Sequence, residues 1–102
     1  YQPETATKIL EDILAKDKKR IDILLLLTMV NYNLENYDKA EDYTKRILAI
    51  DKNHSEANYN LGAIYAEQGR KEDARKIWES IIKKYPNTQA SKYAVMALNN
   101  LK

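Results

Sequence analysis

Alanine stands at Ala6, Ala40 and Ala74 and isoleucine at Ile13, Ile47 and Ile81, with Leu14, Leu48 and Ile82 beside them, so an interval of 34 residues runs through the whole chain. An interval of that length marks a supersecondary unit repeated along the chain. Each such unit is too small to bury its apolar face alone and gains a core only by stacking on the next. The correspondence extends to runs: Ile13-Leu14-Ala15-Lys16-Asp17-Lys18 returns as Ile47-Leu48-Ala49-Ile50-Asp51-Lys52, five of six positions being identical. Stacks of this kind usually present surfaces rather than reaction centres, so binding is expected before chemistry.

The repeated unit is helical. Only two glycines and two prolines occur in 102 residues, while Lys, Glu, Ala, Leu and Ile abound, a balance that favours helices over strands and tight turns. Apolar residues follow helical spacing at Ile9, Leu10, Ile13 and Leu14, and again at Leu24, Leu27 and Leu34. The pattern predicts six helices, over residues 3–16, 21–34, 37–50, 55–68, 71–84 and 88–101. Pro3 suits a first helical turn, Gly69 a left-handed stop and Pro86 the stretch just beyond a helix. Ser55 and Thr88 are expected N-caps. Loops of two to four residues leave successive helices to pack antiparallel.

Several activities are disfavoured by composition. The net charge of +2 gives little long-range attraction to nucleic acid or an acidic membrane. Without cysteine there are no disulfides, thiolate metal sites or Cys nucleophiles. The longest apolar stretch, residues 23–30, is interrupted by Thr28 and falls well short of a bilayer span, and no basic-then-apolar segment opens the chain. No membrane insertion is therefore expected, and the compartment stays open between cytoplasm and periplasm. Beginning on Tyr1 rather than Met, the chain reads as a processed product or a fragment of something longer.

Asn58-x-x-Leu61-Gly62-x-x-Tyr65, then Ala74-x-x-x-Trp78, then Pro86 resembles the tetratricopeptide repeat (TPR), with six of seven signature places matched and Asn58 standing where the family commonly has Trp. Gly62 and Ala74 are small where two helices cross closely, and Leu61, Tyr65 and Trp78 fill the wedge between them. The preceding unit is looser: Leu24, Leu27, Thr28 and Ala40 fit, Asn31 and Thr44 replace aromatics, and Lys52 replaces proline. The resemblance implies a right-handed α-solenoid of antiparallel helix pairs in a single TPR-like domain over residues 1–102. Within it, 1–20 is the second helix of a truncated repeat, 21–54 and 55–88 are repeats, and 89–102 is a capping helix.

The resemblance further implies that the first helix of each pair lines a concave groove. Helical geometry nominates its residues: Leu24, Leu27, Thr28 and Asn31 form the inward stripe, and Leu25, Met29 and Tyr32 centre roughly 90° to 140° away. The same shift gives Tyr59, Ala63 and Ala66, then Tyr93 and Ala97. With Asn33, Asp22, Glu56 and Glu67 at the rim, such a groove suits an apolar helix or extended peptide of a partner protein. Some family members grip a chaperone C-terminus with Lys, Asn and Arg on this surface; here those places carry Leu25, Met29, Tyr59 and Ala63, so that clamp is absent.

No catalytic, cofactor or metal site is expected. Lys16, Lys18, Lys19 and Arg20 form a basic cluster, interrupted by Asp17 and followed by Asp22, with no interleaved aromatic; it reads as a solvated loop rather than a nucleic-acid site. His54, the only histidine, reads as a surface residue rather than a metal ligand. Glu41 with Asp42 and Glu72 with Asp73 are expected in first helical turns, where their charge favours the dipole. Asn31 and Thr44 are expected inside one repeat, and burial there requires that they lie close together or reach backbone or solvent. Finally, the first helix leaves Ala6, Leu10 and Ile13 without a preceding partner and the last leaves Val95 and Met96 partly bare. Self-association through these ends is the alternative to the groove.

Overall fold

The computed structural model describes residues 2–101; Tyr1 and Lys102, the outer limits of the expected ranges 1–20 and 89–102, lie outside the described residues. These residues form six α-helices and no strand: α1 (Pro3–Lys16), α2 (Ile21–Asn33), α3 (Tyr37–Ile50), α4 (Ser55–Glu67), α5 (Lys71–Lys84) and α6 (Gln89–Asn100). They fall into two compact units, Tyr1–Lys52 and Asn53–Lys102. In the first, α2 packs on both α1 and α3; in the second, α4, α5 and α6 pack on one another.

The first unit buries Leu14 of α1, Ile23, Leu24 and Leu27 of α2, and Ala40 and Ile47 of α3. The inward stripe expected of α2 is the buried one, including its polar members Thr28 and Asn31. Those groups are satisfied locally. Asn31 Nδ2 donates to the Leu27 carbonyl at 2.8 Å and Thr44 Oγ1 to that of Ala40 at 2.7 Å. Thr28 Oγ1 donates to the Leu24 carbonyl at 2.9 Å and also lies 3.3 Å from Thr44 Oγ1. Each hydroxyl carries one proton, so two of these three contacts form at a time, and either threonine can turn its proton from its own helix to the oxygen of the other. The polar partner of Thr44 across the pair is Thr28 rather than Asn31.

The second unit solves the same crossing differently. Thr28 and Thr44 correspond, one interval of 34 later, to Gly62 and Trp78, and here the indole lies flat against the helix at the glycine. A Cβ placed on Gly62 would come within 2.8 Å of the indole Cδ1 and Cε2. The opening lets Trp78 Nε1 donate to the Tyr59 carbonyl at 3.2 Å, which satisfies the one polar atom of a side chain that is otherwise buried.

Helix ends keep the same phase. α2 and α4 both end by pairing two N–H groups with carbonyls of the last turn: Glu35 with Tyr32 and Asn36 with Asn31, then Gly69 with Ala66 and Arg70 with Tyr65. This stop requires a left-handed residue, and Gly69 takes it at φ 81° while Glu35 takes it at φ 62° with a side chain in place. The expected cap at Thr88 is present, its Oγ1 accepting from Ser91 N at 3.1 Å. The expected cap at Ser55 is not. Ser55 is already helical, and His54, extended at φ −66°, ψ 106°, caps α4 by accepting the Ala57 N–H on Nδ1 at 3.1 Å. The lone histidine is therefore a half-buried structural group, neutral at Nδ1 and protonated at Nε2 when it makes this bond. Glu41 and Asp42 also depart from expectation, lying beyond the first turn of α3, where Lys45 binds Glu41 at 2.6 Å. Glu72 and Asp73 do occupy the first turn of α5 and pair with Arg75 and Arg70.

Glu35→Gly is expected to stabilise the chain by about 1 kcal/mol and Gly69→Ala to destabilise it by about as much, read from urea denaturation, because only glycine occupies φ > 0 without a Cβ penalty. Gly62→Thr is expected to destabilise strongly, and adding Trp78→Thr to recover part of that loss, with a coupling of about 0.5–3 kcal/mol in a double-mutant cycle.

Candidate protein-interaction surfaces

Each unit carries its own share of the residues nominated for binding. On α2 in the first unit, Met29 is 55% exposed, Asn33 is exposed, and Leu25 and Tyr32 are half-buried. Tyr32 stands edge-on to Tyr37, ring centres 5.5 Å apart. Leu26, absent from the nominated set, is also exposed. Its counterparts one and two intervals on are Asn60 and Ala94, so neither repeat phase nor hydropathy singles it out.

At the rim, Asp22 is gripped by Arg20 through two bonds, Nε to Oδ1 at 2.9 Å and Nη2 to Oδ2 at 2.7 Å. This hydrogen bonding holds the Asp22 carboxyl below the usual carboxylate range and raises Arg20. The basic cluster is therefore reduced at its end by a local carboxylate, and Asp17 Oδ1 accepts the Lys19 N–H at 3.2 Å.

In the second unit, Tyr59 on α4 and Tyr93 on α6 meet with ring centres 5.7 Å apart, and Tyr59 continues onto Trp78 at 6.2 Å. The two tyrosines form one wall of an open cleft of about 460 Å³, completed by Ser55, Glu56, Asn60, Thr88, Gln89 and Ala90. Tyr59 is half-buried and Tyr93 is 46% exposed, so the ladder runs from core to surface. Burial, and secondarily the neighbouring Tyr93 phenol, pushes the Tyr59 hydroxyl above the ordinary tyrosine value. Ala63, Ala66 and Ala97 are half-buried and line no part of this cleft, while Glu56 and Glu67 are exposed. Ser55, Glu56 and Tyr59 correspond to Gln89, Ala90 and Tyr93 at the 34-residue interval. The cleft is thus built from the same positions of successive first helices, a signal that the interval holds and that reading each helix alone misses.

Among the described residues no group of three or more His, Asp or Glu side chains is arranged to hold a metal ion, and no helix is long and apolar enough to cross a membrane.

Residues 34–98 match a sequence model described as Tetratricopeptide repeat. The chain belongs to the tetratricopeptide repeat family. Members of this family generally act as non-catalytic scaffolds. The chain is similar to the UDP-N-acetylglucosamine–peptide N-acetylglucosaminyltransferase of Caenorhabditis elegans, 30% identical over 69 residues that make up 68% of this chain and 6% of that protein. It thus spans a small part of the curated relative it matches. Its fold is similar to the crystal structure of MamA, with a TM-score of 0.77 at 22% identity, covering 95% of this chain and 59% of that one. At that identity the likeness is one of fold, and at 95% coverage it takes in α1 and α2, which precede the span matched by the family model.

Tyr59 is expected to ionise above the roughly 10 of an unperturbed phenol, read as the ultraviolet titration difference between the wild type and Tyr59→Phe. Tyr93→Phe is expected to bring it only part of the way back, burial being the larger cause. Because the folded-state value is the raised one, this contribution to stability is present below about pH 10 and is lost as pH rises through the folded value.

Proposed function

We infer that this TPR chain is a non-catalytic scaffold that takes an apolar helix or an extended peptide of another protein on the outward faces of its first helices, residues 21–54 and 55–88 serving as its full repeats. The observation that carries the reading is the aromatic ladder in the second unit. Trp78 and Tyr59 are tied to the core and Tyr93 ends at the surface beside an open cleft. Rigid rings already held in place lose little freedom when a partner covers them, which is why anchored aromatics concentrate binding energy. In the first unit Met29 contributes an adaptable apolar side chain of the kind suited to irregular partners.

A reaction finds less support. His54, the sole imidazole, uses Nδ1 to cap α4, and the Thr88 hydroxyl at the cleft is engaged at a helix end, donating to the Tyr85 carbonyl at 2.7 Å while accepting from Ser91. The transferase activity named for the worm relative belongs to a protein of which this chain matches 6%, and nothing in the cleft calls for it.

The test is capture from native extract followed by measurement of affinity for the partner recovered. Tyr59→Ala, Tyr93→Ala and Met29→Ala are each expected to weaken binding about tenfold or more, as truncation of an interface anchor does, with helical content unchanged. Lys76→Ala on α5 is expected to leave it intact. Binding that survives all three substitutions would sink this reading.

A further inference from the structure

The cleft between α4 and α6 has both of its walls inside the second unit, and its lining is not apolar throughout. Beside the rings of Tyr59 and Tyr93 it presents the Ser55 hydroxyl, the Asn60 and Gln89 amides and the Glu56 carboxylate. Among the described residues none of these four polar side chains makes a hydrogen bond or an ion pair within the chain. Elsewhere such groups are spent: Asn31 and Asn58 turn their amides to carbonyls one helical turn back, and the Asp22 and Asp73 carboxylates are held by arginines. Glu56 is exposed and is the one charged residue of the lining. The cleft therefore joins two aromatic faces to a single unneutralised negative charge and a set of unused donors and acceptors.

We propose that this cleft takes an extended segment of a partner protein that presents an arginine, its guanidinium lying over the Tyr93 ring and against the Glu56 carboxylate while Asn60 and Gln89 pair with the segment's main chain. The inference rests on the scaffold reading and narrows it, because an apolar helix fits this cleft poorly. A helix satisfies its own backbone groups internally, so covering the cleft with one would dry the Ser55, Asn60 and Gln89 side chains and leave them unpaired. An extended segment offers a free N–H and C=O at each residue, and a carboxamide, with both donor and acceptor, can answer either. Arginine suits the rest of the lining, since a planar guanidinium stacks on an aromatic face and at the same time binds a carboxylate with two parallel bonds. The chain already uses tyrosine faces in this way, with the Arg70 guanidinium 4.0 Å from the Tyr65 ring centre and that of Arg46 5.8 Å from Tyr43. An anion is the poorer fit: no Lys or Arg lines the cleft, and His54 and Thr88 each already take an N–H at the two helix starts.

Nuclear magnetic resonance titration of the isotope-labelled 102-residue chain with the capped peptide acetyl-Gly-Ser-Arg-Ser-Gly-amide, and with the same peptide carrying Leu or Glu in place of Arg, tests the proposal. The readout is the backbone signals of Glu56 and Tyr93 and the side-chain amide signals of Asn60 and Gln89. The arginine peptide is expected to bind with a Kd of about 1 mM, the strength of a contact made by one side chain and a short stretch of main chain. The leucine peptide is expected to bind at least about threefold more weakly and the glutamate peptide more weakly still, since each loses the attraction to Glu56. Glu56→Gln is expected to weaken arginine binding about threefold and to leave leucine binding unchanged. Tyr93→Ala is expected to weaken arginine binding about fivefold or more, and Tyr93→Phe to retain it, because the ring face rather than the hydroxyl makes the contact. Glu56 and Tyr93 are exposed, so the variants fold, and the dispersion of their spectra checks it. Arginine and leucine peptides that bind equally would overturn the proposal, as would arginine binding unmoved by Glu56→Gln, or no shift at these four residues at peptide concentrations well above that Kd. A captured partner that depends on Tyr93 but not on Glu56 would overturn the arginine contact alone and leave the scaffold reading standing.

Discussion

The contact between the Trp78 indole and the backbone at Gly62 is the constraint on which the second unit depends. A glycine at that point removes the side chain that would hold α5 away from α4, and the indole occupies the vacated space with its ring against the helix and its N–H on the Tyr59 carbonyl. From there the ring stacking passes outward through Tyr59 to Tyr93. The same interaction thus closes the core of the α4–α5 pair and anchors the ring series that ends at the mouth of the cleft. Truncating a buried Trp typically costs about 3–5 kcal/mol, so this contact outweighs any of the exposed ion pairs, which individually contribute from about 0 to 1 kcal/mol.

The first unit meets the same geometric demand with different chemistry. Two threonines of intermediate size replace the glycine and tryptophan, and the polarity they bring is absorbed by backbone carbonyls one helical turn earlier and by their mutual contact. Asn31, standing where the second unit has Tyr65, turns its amide back to Leu27, whereas Tyr65 packs under the Arg70 guanidinium at 4.0 Å. The departures from the family pattern at Asn31 and Thr44 thus each return a polar group to a carbonyl of its own helix. Each is tolerated because a buried polar group costs little once bonded, and the helix-pair geometry is kept while the surface chemistry of the two units diverges.

Helix number, their limits to within a residue and the buried stripe of α2 were all legible in the sequence, because they depend on local spacing and on an interval that leaves two copies of each position to compare. That Tyr59 and Tyr93 occupy equivalent positions was legible for the same reason. Less was visible of what completes the cleft. Ser55, Asn60 and Gln89 are unremarkable polar residues until α4 and α6 are placed side by side. The cap of α4 was misread because serine is the commoner capping residue, whereas the chain reaches its extended conformation one residue earlier, at His54, whose Nδ1 can act in the same way.

By itself, then, the sequence determined that this chain is all-helical, that its helices pair in units of 34 residues, and which stripe of α2 faces inward. These are properties of spacing, and spacing needs no partner to be read. Only the tertiary structure decided that Thr44 answers Thr28 rather than Asn31, that Glu35 bears the left-handed conformation which Gly69 takes freely, and that two tyrosines 34 residues apart share one wall. Those outcomes depend on which atoms distant segments bring within about 3 to 6 Å of one another, the range over which hydrogen bonds and ring contacts act. Periodicity sets which face is turned inward, but the atoms that meet there are chosen by packing.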